Sequence, residues 1–206
     1  MCARPRRISD EEVFAAIMRA MSRLPPAELT LTAIGAEAGV TAGALVQRFG
    51  SKRALLVAVA RAAAESEADQ AARFLERHRS PLKALEAWAD CMSGLAPSPA
   101  SFQRALAYLQ QDLADPELHR LLARQTEANR AAIEEMLVAA RDAGELTATA
   151  DPVRLSRLIE AVIVGGLMSW AFRPTGSASA RVRALLSDAL APHRIGLRKA
   201  RSGGGR

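Results

Sequence analysis

The side chains of this 206-residue chain whose types and spacing best suit a chemical task lie between positions 30 and 53, and that task is contact with DNA. Gln47 can bond bidentately to adenine, and Arg48 can bond bidentately to guanine or to a phosphate. Ala42 and Ala44 offer only apolar contact to a thymine methyl, and Gly43 would let the backbone approach the duplex closely. A surface so poor in polar groups predicts that recognition depends partly on DNA shape.

Two cations follow this stretch at a place where a helix ordinarily disfavours them. Ser51 can cap the start of a helix, yet Lys52 and Arg53 stand in its first turn, where the helix dipole favours acids. A phosphate lying across that terminus would be held by backbone N–H groups and by the Lys52 ammonium. The alternative is that both side chains are simply solvated surface charges.

Two short helices joined by a glycine-containing turn are predicted to position these side chains. Thr30 can cap the first helix, Gly39 stands where a left-handed residue would end it, and Thr41 can cap the second, which ends near Phe49. This is helix-turn-helix spacing, in which the second helix enters a major groove, although an αα-corner in any helical domain would share these features. The predicted DNA contacts are Thr30, Thr41, Ala42, Gly43, Ala44, Gln47, Arg48 and Lys52.

The whole chain is predicted to be all-α, with about nine helices. Breaker residues divide it into helix-sized segments, and no segment shows sustained period-2 alternation. A capping box at Ser9–Glu12 begins the first helix and Pro25-Pro26 ends it, while a helix beginning at Ser51 is predicted to extend toward His78. The organisation predicts a helix-turn-helix domain over 1–53, a helical domain over 54–195, and a disordered basic tail over 196–206.

Charge is concentrated at the two ends of the chain, whose formal net charge is +6. Residues 1–53 carry eight basic and five acidic side chains, and residues 193–206 carry five basic side chains and no acid. Arg4, Arg6 and Arg7 precede the first helix and are suited to an arm that reaches a minor groove, or equally to an unstructured solubilising terminus. For the basic tail at residues 193–206, we favour a solubilising role; the alternative is a weak, nonspecific attraction to nucleic acid.

Enzyme chemistry has little support in the sequence. Cys2 and Cys91 form no disulfide framework, and His78, His119 and His193 lie on separate segments without metal-ligand spacing. There is also no glycine-rich phosphate loop, nucleophile elbow or HExxH string. The prediction is a protein that is not an enzyme and that has neither a metal site nor a cofactor.

The sequence predicts a soluble, cytoplasmic protein. No apolar stretch follows the arginines near the start, so no signal peptide is expected. The longest uncharged apolar run, Ala161–Phe172, is shorter than the roughly 18 to 20 residues that cross a bilayer. Two cysteines in this arrangement fit a reducing compartment.

The first quarter of the chain resembles the TetR family of bacterial transcriptional regulators. The residues that carry the resemblance are Thr30, Ile34, Ala38-Gly39-Val40-Thr41, Gly43, Leu45, Phe49, Ser51-Lys52 and Leu55-Leu56. The resemblance implies a repressor that binds a pseudo-palindromic operator as a homodimer and is released by a small-molecule effector, so 54–195 would be a ligand-binding and dimerisation domain. Val46 departs from the family, which usually has a phosphate-contacting Tyr there, and Arg48 stands where His or Tyr is common.

The family resemblance also implies an effector site among the middle helices. Gln125 and Asn129 stand four residues apart on one helix face and could supply the few oriented polar groups of a pocket; the alternative is that they are surface residues. Most of the other candidates could instead belong to the core. The predicted lining is Phe74, Trp88, Cys91, Met92, Phe102, Tyr108, Gln125 and Asn129.

The implied homodimer needs two apolar faces, and the last two helices supply them. Gly165-Gly166 would permit two helices to approach closely. The alternative is that these faces complete the core of a single chain. The predicted interface residues are Ile159, Val162, Ile163, Gly166, Trp170, Val182, Leu185 and Leu186.

A competing function from another class is a helical ligand-binding or protein-interaction module that does not read DNA specifically. Val46 and the alanine-rich second helix of the motif favour it. A regulator predicts a large affinity ratio between specific and random duplexes, whereas the module predicts only salt-sensitive association that is independent of sequence.

Overall fold

The computed structural model describes residues 8–66, 70–94 and 97–195. Over these ranges the protein is helical without an extended β-strand, which confirms the all-α prediction, and it has ten α-helices where about nine were predicted. The predicted helix from Ser51 toward His78 is described as two elements. The helices are α1 (Asp10–Arg23), α2 (Leu31–Ala38), α3 (Ala42–Phe49), α4 (Lys52–Ser66), α5 (Gln70–Arg77), α6 (Pro81–Gly94), α7 (Pro99–Ala114), α8 (Pro116–Asp142), α9 (Pro152–Phe172) and α10 (Ala178–Leu190).

Local sequence signals set the ends of α1. The Ser9 hydroxyl accepts a hydrogen bond from the Glu12 backbone N–H, and the Glu12 carboxylate accepts one from the Ser9 N–H. This capping box satisfies two of the donors that the start of a helix leaves unpaired. The helix ends at Arg23, just before Pro25-Pro26, because proline cannot continue it.

The chain forms two compact units, the first from Met1–Glu65 and Ala100–Ala123, the second from Ser66–Pro99 and Arg124–Arg206. Within the first unit, α7 and the beginning of α8 accompany α1–α4. The predicted domain division after residue 53 stays a prediction, and the predicted disordered tail lies outside the described residues. The core of the first unit consists of Val13, Ile17, Ala20, Leu29, Ile34, Leu45, Leu55 and Tyr108.

Helices α5, α6, α8, α9 and α10 contribute to the core of the second unit. Met136, Leu137 and Ile159 are fully buried there, and each such side chain contributes roughly 1.5–3 kcal/mol through removal of apolar area from water. Trp88 and Leu186 are also in this core.

Helix α9 is longer than the uncharged apolar run Ala161–Phe172 within it. The whole helix, Pro152–Phe172, is long and apolar enough to cross a membrane, judged by length and composition alone. In the second unit Ile159, Ile163 and Trp170 on this helix are buried, and α9 packs against α10 and α6. A core helix of a globular domain has the same composition.

Candidate nucleic-acid interface

The α2–α3 pair begins and ends where its caps were predicted. The Thr30 hydroxyl accepts a hydrogen bond from the Ala33 N–H, and the Thr41 hydroxyl accepts one from the Ala44 N–H, each at 3.1 Å. Gly39 follows α2 with φ 72°, a left-handed conformation that favours glycine. These contacts fix the direction in which the chain leaves α2 and enters α3.

Gly35 lets the turn between the two helices pack closely against α2. A Cβ atom at this position would lie 2.6 Å from the carbonyl oxygen of Val40, which real Cβ atoms essentially never do. The neighbouring atom belongs to the backbone, so it cannot rotate away. Glycine is therefore required here by the geometry of the turn.

Helix α3 buries one side and exposes the other. Leu45 is fully buried in the core of the first unit, with Phe49 packed beside it. Ala42 is half-buried at the start of the helix. The exposed positions are Thr41, Gly43, Ala44, Val46, Gln47 and Arg48, so the predicted base-reading residues share one open surface.

Arg48 lies on this surface but is bonded to the start of α1. Its Nη1 donates to the carbonyl oxygen of Ile8 at 2.6 Å, and its Nη2 forms an ion pair with the Asp10 carboxylate. The guanidinium also lies 5.3 Å from the centre of the Phe49 ring, within reach of a cation–π interaction. The structure therefore gives Arg48 intramolecular partners that its position in the sequence did not reveal.

Lys52 and Arg53 are also bonded within the first unit, so neither is simply a solvated charge. The Lys52 ammonium donates to the Pro26 carbonyl at 3.1 Å, which uses one of its three donors. Arg53 Nε and Nη2 donate to the Asp115 carboxylate at 2.6 and 2.8 Å, and Nη2 also reaches Glu117. Asp115, at the start of α8, thus neutralises Arg53, which makes a cation in the first turn of α4 less unfavourable.

This ion pair shifts the pKa values of its members in opposite directions. The hydrogen bonds from the Arg53 guanidinium and from the backbone N–H groups of Glu117 and Leu118 lower the pKa of Asp115 to about 2. The same pair raises the pKa of Arg53. The Asp115 carboxylate also caps the N-terminus of α8.

Two family models match the chain, one near its start and the other over its second half. The model described as "Bacterial regulatory proteins, tetR family" matches residues 13–59, which contain most of α1 and all of the α2–α3 pair. The model described as "BetI-type transcriptional repressor, C-terminal" matches residues 82–193, more than half of the chain.

The chain belongs to the TetR family. It is therefore a transcription regulator with a helix-turn-helix DNA-binding domain and a ligand-binding domain, and it is not an enzyme. Regulators of this family bind DNA and small molecules.

Solved structures of low sequence identity share the fold. SmeT, the repressor of the Stenotrophomonas maltophilia multidrug efflux pump SmeDEF, is 22% identical over 92% of each chain, with a TM-score of 0.63. A complex of SmeT with triclosan matches with a TM-score of 0.65 at 22% identity, covering 90% of this chain and 91% of that one. A TetR regulator from Haloarcula marismortui is 19% identical, covers 90% and 98%, and has a TM-score of 0.69. No curated protein sequence matches the chain significantly.

The predicted effector-site residues of this TetR-family chain are divided between the two units. In the second unit Phe74 and Met92 are half-buried against the core, and Trp88 is buried with its Nε1 donating to the Gln70 side chain at 2.9 Å. Cys91 is exposed, with a free thiol. Gln125 and Asn129 are half-buried on α8.

Asn129 has an unusual polar atom. Its Oδ1 is buried, and no donor in the described part of the chain lies within hydrogen-bonding distance of it. Leaving a buried acceptor unpaired costs roughly 1–3 kcal/mol, so a ligand donor at this point would recover that cost. Asn129 is the predicted polar lining residue with the strongest structural support.

Tyr108 and Phe102, two of the predicted lining residues, both belong to the first unit, and their part in an effector site stays a prediction. Tyr108 packs in the core beside α1 and donates its hydroxyl to the Leu24 carbonyl at 2.8 Å. Burial raises its pKa to about 12. Phe102 is buried as well. Aromatic residues at helical spacing serve a core and a pocket equally well, which is why the sequence did not separate the two roles.

Most of the predicted dimer residues are buried within the second unit of a single chain. Ile159, Ile163 and Trp170 on α9 are buried within the second unit, together with Val182 and Leu186 on α10. Gly166 is buried too, and a Cβ there would lie 3.1 Å from Val182 and 3.2 Å from Leu185 of the same chain. Only Val162 and Leu185 are half-buried. The buried members contribute to the core of the second unit, and the part that this residue set plays in a homodimer stays a prediction.

Among the described residues no group of three or more His, Cys, Asp or Glu side chains could hold a metal ion. The basic residues Arg4, Arg6 and Arg7, as well as Cys2, lie outside the described residues.

Proposed function

We propose that this TetR-family regulator is a repressor that binds a pseudo-palindromic operator as a homodimer and is released by a small-molecule effector. The observation that carries the proposal is the open surface of α3, which Leu45 and the close turn at Gly35 hold in a fixed orientation. The match to a repressor-type C-terminal model and the fold shared with the repressor SmeT support the sign of regulation.

The α3 surface has the chemistry to contact one half-site of such an operator. Gln47 offers a bidentate amide for adenine, while Ala44 and the half-buried Ala42 suit thymine methyl groups. The hydroxyl oxygens of Thr30 and Thr41 accept hydrogen bonds from backbone N–H groups. Each hydroxyl proton therefore remains available for donation to a phosphate. Lys52 keeps two donors for the same purpose.

The homodimer is best formed by the exposed sides of α9 and α10. Leu158 is 46% exposed and Phe172 is 77% exposed, and Ala161 and Gly165 lie on the same side of α9 at helical spacing. On α10 a stripe of small, exposed residues permits a close approach of helices from a second copy, namely Ala180, Ala184 and Ser187.

The effector is proposed to bind in the second unit, beside α8. The unpaired Oδ1 of Asn129 calls for a hydrogen-bond donor on the ligand, and the half-buried Phe74 and Met92 suit an apolar body. To release DNA, the effector must bind the DNA-incompetent conformation more tightly than the DNA-bound one. A regulator of transcription acts where the chromosome is, so we place the protein in the cytoplasm.

Selection from a random duplex pool tests the function. The purified full-length protein is incubated with the pool at near-physiological salt, and bound duplexes are amplified and sequenced. We expect an inverted repeat, whose two halves correspond to the two α3 helices of a dimer. If the folded protein enriches no motif and binds all duplexes equally, it acts as an interaction module and the proposal is wrong.

A further inference from the structure

Helix α3 exposes a valine among the side chains that point away from the core. Val46 is 46% exposed, whereas Leu45 beside it is buried in the core of the first unit. A valine side chain has neither a hydrogen-bond donor nor an acceptor, so it can bind neither a phosphate nor the polar edge of a base. In a duplex, its two methyl groups are suited only to contact with another apolar group.

Two neighbours of Val46 on the surface of α3 are small. Ala42 and Gly43 precede Val46 by four and three residues, and residues at these spacings are adjacent on a helix surface. Side chains of a helix lean toward its N-terminus, so the Val46 methyl groups lie over the turn that contains Ala42 and Gly43. These three residues form an apolar surface without a polar side-chain atom, which we call the Val46 patch.

The fold of the chain does not require the glycine in this patch. The backbone of Gly43 is helical, without a left-handed φ, and the nearest atom to a Cβ there would be Thr41 Oγ1 at 3.9 Å. At Gly35, in contrast, a Cβ would lie 2.6 Å from the Val40 carbonyl oxygen. Because glycine lowers helix propensity, Gly43 brings the fold no benefit, and the space beside Val46 is open to a group from outside the chain.

We propose that the Val46 patch binds the C5-methyl group of one thymine in each half-site, which makes Val46 a specificity-determining residue. This methyl is the apolar group that distinguishes thymine from the other three bases in the major groove. Valine is stiff at χ1, so it presents its methyl groups in a fixed position. The inference rests on the proposed function, in which α3 lies in the major groove.

The contact of Val46 is separate from those proposed for Gln47 and Ala44. Successive residues of an α-helix are about 100° apart, so Val46 lies about 100° from Gln47 and about 160° from Ala44 around the axis of α3. Side chains that point in such different directions face different base pairs. The inference therefore predicts one thymine in each half-site whose methyl group is recognised through Val46.

The experiment replaces each thymine of the selected operator in turn by deoxyuridine, which lacks only the C5-methyl group. At the position that Val46 contacts, we expect the affinity of the full-length protein to fall roughly fourfold for one half-site and about 15-fold for both, as for one buried methyl group in each. 5-Bromodeoxyuridine, whose bromine is close to a methyl group in size, is expected to restore the affinity.

Substitutions of Val46 are then combined with these duplexes. Val46→Ser removes both methyl groups, so it is expected to weaken binding to the thymine duplex but to have little effect on the uracil duplex, because the same contact can be lost only once. The salt slope is expected to stay the same, since no charge changes. Val46→Ile keeps an apolar side chain and is expected to retain the preference for thymine.

Val153→Ser is the matched control, because it makes the same change at a valine that is 43% exposed on α9 in the second unit. It is expected to retain the full preference for thymine over uracil at every position. Melting temperatures of all variants show whether each one is folded.

Three outcomes would overturn this inference alone, for a protein that selects an inverted repeat. The first is a repeat in which no thymine can be replaced by deoxyuridine with a loss of affinity. The second is a thymine preference that persists undiminished in Val46→Ser, which would assign the methyl group to another residue. The third is an equal loss for Val46→Ser on thymine and uracil duplexes. If the unsubstituted chain selects no specific duplex, the proposed function and this inference are both wrong.

Discussion

Gln47 is the exposed α3 side chain with the clearest means of reading a base. Its amide can donate and accept at once, which suits adenine and is typically worth roughly 1–3 kcal/mol of discrimination. We expect Gln47→Ala to relax the preference at one base pair in each half-site and to leave the other positions unchanged. Repeating the duplex selection with the variant measures this. Thr32→Ala, an exposed position on α2 that is not a predicted contact, is the control. An unaltered profile for Gln47→Ala would exclude it as a base reader.

The Arg53–Asp115 pair makes part of the stability depend on acid pH. The pKa of Asp115 falls to about 2 in the folded protein from an ordinary value of 3.8. A carboxylate with a lowered pKa contributes stability above its unfolded value, so this contribution is present above about pH 4 and is lost as the pH falls through about 2.

Asp115→Asn isolates this contribution, because asparagine still caps the start of α8 but cannot ionise. The variant is expected to be less stable than the natural chain at pH 5, with a difference that narrows toward pH 2. Urea unfolding at a series of pH values measures the difference. A constant difference between pH 5 and pH 2 would show that the pair does not contribute in this way.

At the scale of elements, the packing of α2 against the turn depends on the absence of a side chain at Gly35. Gly35→Ala would bring a Cβ within 2.6 Å of the Val40 carbonyl oxygen, so we expect a loss of about 1–3 kcal/mol and a lower melting temperature. Gly43→Ala is the matched control on α3, where the nearest atom would be 3.9 Å away. It is expected to be neutral or to stabilise by up to about 1 kcal/mol, since alanine favours helix. Equal melting temperatures for the two variants would contradict the close approach.

The sequence predicted the helix ends well and the partners of side chains poorly. Ser9, Thr30 and Thr41 act within three residues of themselves, so a short stretch of sequence contains the whole interaction. Arg48 and Arg53 find their partners 38 and 62 residues away, and no local pattern indicates which acids these are. The predicted contacts on α3 therefore lie together as expected. That Arg48 and Arg53 are bonded to Asp10 and Asp115 became visible only in the folded structure.

The same limit applies to the predicted dimer. An apolar stripe on a helix shows that one face is buried, but not whether a helix of the same chain or of a second copy buries it. On α9 the more apolar face, with Ile159 and Ile163, packs inside the second unit. The face that remains for a partner has smaller and more varied residues, which periodicity alone did not single out.

At the scale of the whole molecule, substitutions at two adjacent glycines of α9 test dimer formation and folding separately. A Cβ at Gly165 would meet nothing within 4 Å, whereas one at Gly166 would press on Val182 and Leu185. We expect Gly165→Glu to fold normally but to sediment as a monomer with weakened operator binding. Gly166→Ala is expected to lower the melting temperature and to remain a dimer. Sedimentation velocity and circular dichroism measure both properties, and a dimeric Gly165→Glu variant would move the interface elsewhere.

The central claim is that two α3 helices of a homodimer read an inverted repeat. It is tested most directly by the affinity of the full-length protein for the selected inverted repeat and for a duplex in which one half-site is scrambled, at one near-physiological salt concentration. We predict that the intact repeat binds at least about 10³-fold more tightly than random duplex, and that scrambling one half removes most of this advantage. Equal affinity for all three duplexes, with the same steep salt dependence, would contradict the claim.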